Sequence, residues 1–184
     1  GQSRGLGDVY KRQKLHRSFN KGDTWTDISN DLTKGGKKGN VPYGTLTCID
    51  ESTFNFGKII VGSDDGNIIL TQNSGESWKN ISSDLPSNLW VSRVIFSKHK
   101  DQRIYTSLNG YRKNDFKPYL YVSEDDGISW NEISNNLPLS PINVVREDIN
   151  NENILYLGTD NGLFISFDNG SVSYTHLRAH ETGY

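Results

Sequence analysis

The sequence predicts an all-β protein assembled from repeated four-stranded antiparallel units. Three observations carry this. An eight-residue pattern recurs so that Trp25, Trp78 and Trp130 fall 53 and 52 positions apart, and self-similarity at a fixed period of this order marks a repeat architecture. Short apolar runs alternate with Asn, Asp, Ser and Gly, and Gly alone accounts for 18 of 184 residues; this is the punctuation of many short strands joined by turns. No segment shows helical apolar periodicity, which excludes a parallel βαβ arrangement.

The elements follow in order. Residues 18–28 read as the outer end of a preceding unit. The best-defined unit then has strands at 45–49, 59–61, 68–71 and 79–82. The next has strands at 91–96, 104–107, 119–122 and 131–133, and a third begins at 142–145, 154–157 and 163–166 and then stops. Each Trp is followed by Ile at the third position (Ile28, Ile81, Ile133) and Leu at the seventh (Leu32, Leu85, Leu137). Upstream, residues 59–66 match residues 155–162, and their Asp65-Gly66 and Asn161-Gly162 pairs predict hairpin turns. Four antiparallel strands per unit of this length characterise propeller blades. The expectation is therefore a partial β-propeller, about three blades of a larger ring. It divides into a blade end at 14–40, blades at 41–86 and 87–138, and a partial blade at 139–170.

The two ends read differently. Residues 5–13 resemble a peptide translated from sequencing adapter, and residues 172–182 resemble its counterpart. A fourth copy of the pattern starts at Ser166, Asp168 and Gly170 but has Ser173 where Trp is due, so it fails where the adapter-like stretch begins. Segments 1–13 and 171–184 are thus expected to be non-native, with no designed place in the core. Without their four basic and two acidic residues, 16 basic face 20 acidic residues. The chain contains no Met, so it is not expected to start at a natural initiator.

Charges of both signs are interspersed, with a net charge of −2 and no basic stripe, so nucleic acid is not an expected partner. No apolar run approaches the ~20 residues of a membrane span. The lone Cys48 excludes an internal disulfide framework, and its apolar surroundings predict a buried structural thiol. His16 and His99 are isolated and polar-flanked. No metal site and no cofactor site is read from the sequence.

The recurring pattern is Ser/Thr-x-Asp/Asn-x-Gly-x-x-Trp. Its members are Ser18, Asn20, Gly22 and Trp25; Thr71, Asn73, Gly75 and Trp78; Ser123, Asp125, Gly127 and Trp130; and Ser166, Asp168 and Gly170. The Asx side chain accepts backbone N–H groups within a turn, Gly supplies a backbone conformation that a Cβ penalises, and Trp folds back as an apolar lid whose indole N–H is satisfied locally. This pattern resembles the Asp-box, or bacterial neuraminidase repeat, over essentially all of 14–170. The resemblance implies a turn on the outer rim, away from a central site, so a structural role outweighs calcium binding or catalysis by these carboxylates.

Function is expected at the channel mouth. Three stretches stand out: 90–93, the long connection 109–119 that replaces a tight turn, and 144–148. Candidate ligand-binding residues are Arg93, Tyr111, Arg112, Asp115, Tyr119, Arg146 and Glu147. An Arg in or beside an apolar strand requires a partner, which is either a ligand carboxylate or a neighbouring Asp/Glu. These stretches look like segments of the bacterial proteins grouped as sortilin-like or glycosyl-hydrolase-like repeat proteins. That resemblance implies a propeller and an extracytoplasmic (secreted or periplasmic) location. The expected function is a non-catalytic scaffold or a module binding protein, peptide or glycan, completed by the remaining blades of a parent chain. The alternative is part of a glycoside hydrolase, which needs paired carboxyl groups or, in sialidases, a Tyr nucleophile and a clamp of three arginines. No Tyr–Glu pairing is evident, and catalytic residues are not identified. An assembly-factor propeller, like those of photosystem biogenesis, has no sequence feature in its favour.

Overall fold

A computed structural model describes residues 13–35, 44–170 and, as backbone, 174–177. The strands begin with a short hairpin, β1 (His16–Arg17) and β2 (Thr26–Asp27). Blade I follows with β3 (Leu46–Glu51), β4 (Ile59–Ser63), β5 (Ile68–Thr71) and β6 (Lys79–Asn80). Blade II consists of β7 (Trp90–Phe96), β8 (Ile104–Asn109), β9 (Tyr119–Ser123) and β10 (Asn131–Glu132). Blade III consists of β11 (Ile142–Glu147), β12 (Leu155–Thr159), β13 (Gly162–Ser166) and β14 (Tyr174–Leu177). Each blade is an antiparallel meander in chain order, and the one helical element among the described residues is a single 3-10 turn at Tyr111–Lys113. The all-β partial-propeller expectation holds.

Both faces of a blade are covered, which is why its strands read as near-continuous apolar runs. On β8, Ile104 and Leu108 pack between blades I and II beside Ile60, Ile68, Val91 and Phe96. Tyr105 packs on the opposite face, between blades II and III, with Leu120, Val145 and Leu157. Each fully buried large aliphatic side chain contributes about 1.5–3 kcal/mol relative to exposure. A third cluster joins the leading hairpin to blade I through Leu32, Ile59, Val61 and Ile69, with Ile28 and Trp78 against it.

The eight-residue turn connects the third and fourth strands of each unit. Its first hydroxyl accepts the Gly N–H at 2.7 Å in Ser18, 3.0 Å in Thr71, 2.7 Å in Ser123 and 2.8 Å in Ser166. Asn20, Asn73 and Asp125 each accept the backbone N–H four residues on, at 2.9 Å. The indole N–H groups are not satisfied locally. Trp78 Nε1 donates to Ile28 O at 3.0 Å and Trp130 Nε1 to Ile81 O at 2.7 Å, in each case in the preceding unit. The lid is thus a staple between neighbours. Gly75 combines φ +98° with a position where a Cβ would lie 2.3 Å from Ile28 O, so the turn's glycine also admits the neighbouring backbone.

The third sheet extends beyond the three strands that the sequence predicts. The backbone of β14 pairs with β13 from Leu163↔Leu177 to Ser166↔Tyr174. Ladder bonds involve main chain only, so the otherwise unpaired edge of β13 accepts an extended segment whatever its side chains. Gln13 is buried at 3% exposure; its carbonyl accepts Leu32 N–H at 3.0 Å and its Nε2 donates to Thr33 Oγ1 at 3.2 Å. The rest of the two adapter-like segments, including Ser173, lies outside the described residues.

A groove across the first strands

The first strand of each blade carries one extra residue in its pairing with the second. The register slips between Leu46 and Cys48, between Val91 and Arg93, and between Ile142 and Val144. Thr47, Ser92 and Asn143 are the inserted residues of three equivalent β-bulges, a device that re-aims a side chain. Thr47 Oγ1 donates to Val91 O at 2.7 Å, and Ser92 Oγ donates to Ile142 O at 2.6 Å. The bulges of blades I and II thereby tie their strands to the carbonyl just before the bulge of the next blade. The first strands converge through these links, whereas the turns carrying the Trp residues lie at the opposite edges of the sheets.

All three bulge residues line a groove of about 520 Å³ that crosses the blades. Its wall comes from the long connection between β8 and β9, which contributes Tyr111 and Arg112. The Arg112 guanidinium stacks 3.9 Å from the Trp90 ring centroid, and Tyr111 meets Phe116 edge-on with centroids 5.7 Å apart. At the far side, Asn109 Nδ2 donates to Asn143 Oδ1 at 3.0 Å, and Asn143 Nδ2 donates to Asp160 Oδ1 at 2.7 Å. Past Trp90 and Arg112 the surface continues into a second hollow of about 380 Å³ bordered by Asp64, Asn88 and Lys113.

Of the seven residues expected from sequence, Tyr111 and Arg112 line the groove. Asp115 and Tyr119 brace the connection from within, with Tyr119 OH donating to Asp115 Oδ2 at 2.7 Å. The bond holds the Asp115 carboxyl below its usual range. Burial and that same carboxylate push the Tyr119 phenol up to about 12. A Cβ on Gly110 would come 2.8 Å from Asp115, so the connection closes tightly there. Arg93 follows the Ser92 bulge on β7, half-buried, its Nε without a hydrogen-bond partner. Arg146 is exposed on β11. Glu147 is buried at 7% exposure, where it accepts Ser97 Oγ at 2.8 Å and Tyr105 OH at 3.2 Å from blade II. Its geometry is that of a blade-to-blade tie. Burial, reinforced by Glu147, raises the Tyr105 phenol well above its ordinary range. Of the three arginines, one lines the groove, so the geometry does not assemble a three-arginine clamp.

Thr47, Asn143 and Asp160 fall outside the stretches singled out from sequence, and Ser92 and Asn109 fall within 90–93 and 109–119 without being among the seven candidates. A signal for them exists: a polar residue interrupts each first strand, and Asp64, Asn109 and Asp160 recur at the ends of the second strands. Among the described residues no group of three or more His, Cys, Asp or Glu side chains is placed to hold a metal ion, and no helix is long and apolar enough to cross a membrane.

Meandering four-stranded blades, with first strands gathered on one side and stapled turns on the other, define a segment of a β-propeller. The chain belongs to the Sortilin-Vps10 family (Sortilin, neurotensin receptor 3), whose family model matches residues 13–136. No curated protein matches it. Solved structures share the fold. An ancestral GH74 enzyme is 20% identical with a TM-score of 0.69, over 92% of this chain and 22% of that one. YCF48 bound to D1 peptide is 15% identical with a TM-score of 0.61, over 89% and 46%. The extracellular domain of the putative hybrid two component system BT4673 from B. thetaiotaomicron is 19% identical with a TM-score of 0.62, over 94% and 21%. The chain thus spans between about a fifth and just under half of these structures.

Proposed function

We infer that this chain is an Asp-box propeller segment that binds a ligand, whether protein, peptide or glycan, in the groove across its first strands, as part of a larger sortilin-like protein. One observation carries this: the three bulges turn polar side chains into a single groove that Trp90, Tyr111 and Arg112 wall, which is how a preformed ligand site is built. The eight-residue turns, by contrast, spend their polar groups on their own backbone and on the neighbouring blade. Among the described residues the groove has one lining carboxylate, Asp160, already engaged by Asn143. Glycoside hydrolysis needs two positioned carboxyl groups or a Tyr nucleophile with its acid, so binding is the better-supported function of this groove by itself. The similarity to a domain described as extracellular supports an extracytoplasmic location, to be checked by fractionating cells that express the parent reading frame.

Hydrogen exchange on the chain titrated with mixed peptide and oligosaccharide libraries, alongside assays with aryl glycosides including a sialoside, tests the proposal. Protection is expected at 90–92, 109–113 and 143, without glycoside turnover. Protection confined to the turns at 18–25, 71–78 and 123–130 would overturn it.

A further inference from the structure

We propose that the groove takes an oligosaccharide, a neutral chain of neighbouring hydroxyls read by side chains; this rests on the ligand-binding role assigned to the groove above. The first support is what the groove withholds. A peptide strand adds to a sheet by bonding the edge backbone, but Val91 O and Ile142 O on β7 and β11 already accept Thr47 Oγ1 and Ser92 Oγ. Those two carbonyls each already hold a donor from the neighbouring blade, so an incoming strand finds them partly occupied.

The second support is a polar row of settled orientation. Asn109 Oδ1 accepts Tyr111 N–H at 2.9 Å, so Asn109 Nδ2 is the donor to Asn143 Oδ1, and Asn143 Nδ2 is in turn the donor to Asp160 Oδ1. Each amide keeps a second N–H, and Asp160 keeps its other oxygen. Donors and an acceptor therefore stand side by side, and a hydroxyl, which both donates and accepts, matches either. Arg112 adds a planar fork of N–H donors held by its stack on Trp90, and among the described residues no carboxylate pairs with it. With Arg112 and Asp160 bordering one groove, a neutral ligand meets both charges without introducing a third. Trp90 supplies the apolar surface against which the C–H faces of a sugar pack.

The third support is recurrence. Asp64, Asn109 and Asp160 occupy equivalent places at the ends of β4, β8 and β12, and the two hollows meet at Trp90 and Arg112. Polar contacts that repeat from blade to blade suit a ligand that is itself a repeat of several units.

The test is calorimetric titration of the full chain with cellohexaose, mannohexaose, xylohexaose and chitohexaose, and separately with a pool of random decapeptides. At least one hexaose is expected to bind, with Asp160→Asn weakening it about tenfold or more, as loss of a charge-assisted bond does, and Asn143→Ala about threefold or more, as loss of a neutral one does. Both positions are exposed, so the variants should keep the parent melting temperature; Trp90→Ala, at a half-buried position, is interpreted only where circular dichroism shows the parent fold. Peptide binding weakened by these substitutions, with no hexaose bound, would overturn the sugar and leave the groove as a binding site. Binding of neither, or binding indifferent to both variants, would overturn the sugar and the groove together.

Discussion

The leading turn and its two successors have nearly the same sequence but different surroundings. Trp78 and Trp130 are half-buried and bonded to the preceding unit. Trp25 is 65% exposed, and no described residue stands where Ile28 stands for Trp78. The glycines differ in the same way. A Cβ on Gly75 or Gly127 would meet the neighbour at 2.3 or 2.5 Å, while one on Gly22 would come no nearer than 3.8 Å to anything outside its immediate neighbours. Their internal bonds are alike, from the first hydroxyl to Gly N–H and from the Asx oxygen to the fourth residue on. Turn geometry is therefore intrinsic to the eight residues, whereas the contribution of the Trp depends on a neighbour.

The sharpest way to break that comparison is to truncate the indoles. Trp78→Ala or Trp130→Ala should cost about 3 kcal/mol, near the lower end for a buried Trp, and Trp25→Ala less than about 0.5 kcal/mol, as at other exposed sites, by urea denaturation. Equal losses at all three would show that the Trp acts within its own turn. Next in size, Gly75→Ala should lower stability by more than about 2 kcal/mol, because strain at positive φ adds to a backbone clash. Gly22→Ala, with the strain alone, should cost about 1–2 kcal/mol; comparable midpoint shifts would remove the neighbour from the account.

Thr47→Val sharpens the comparison at the opposite edge. It keeps the shape and removes the donor to Val91 O, leaving that carbonyl short of a partner, for an expected loss of about 1–2 kcal/mol. The smallest effect distinguishes the Asp125 turn from those built on Asn20 and Asn73. The hydrogen bond from Ser129 Oγ, followed by that from its backbone N–H, holds the Asp125 carboxyl below its ordinary 3.8. A lowered folded-state value means stability that is present above the unfolded value and is lost as pH falls through the folded one. Asn20 and Asn73 have no such proton to gain. Acid titration below about pH 4 should therefore weaken the wild type slightly, and Asp125→Asn should flatten that part of the profile.

Particular elements show how much was legible. Strands such as 59–63 and 68–71 lie within a residue or two of where the apolar runs place them, because neighbouring residues along the chain specify both run and turn. The Asn20, Asn73 and Asp125 bonds were equally legible. At the groove, Tyr111 and Arg112 were flagged by the length of their connection. Glu147 stood beside Arg146 in sequence, yet it points into blade II, because one residue of shift on a strand reverses the face. The bulges at Thr47, Ser92 and Asn143 were not legible, although Ser92 lay in a flagged stretch, because a bulge is a property of two paired strands and a lone polar residue in an apolar run does not declare it.

By itself the sequence determined the repeat, the number of strands per blade, the chemistry of the turns and the class of fold. The strands and turns depend on residues within a few positions of one another, and the repeat on the return of that local pattern every 52 or 53 residues. Only the tertiary structure decided that the Trp staples the preceding blade, that Glu147 is a tie and Arg112 a groove wall, and that three bulges share one surface. Each of those joins residues of different blades or of paired strands, across separations such as the 50 positions between Ile28 and Trp78, and such contacts exist only once the blades have stacked.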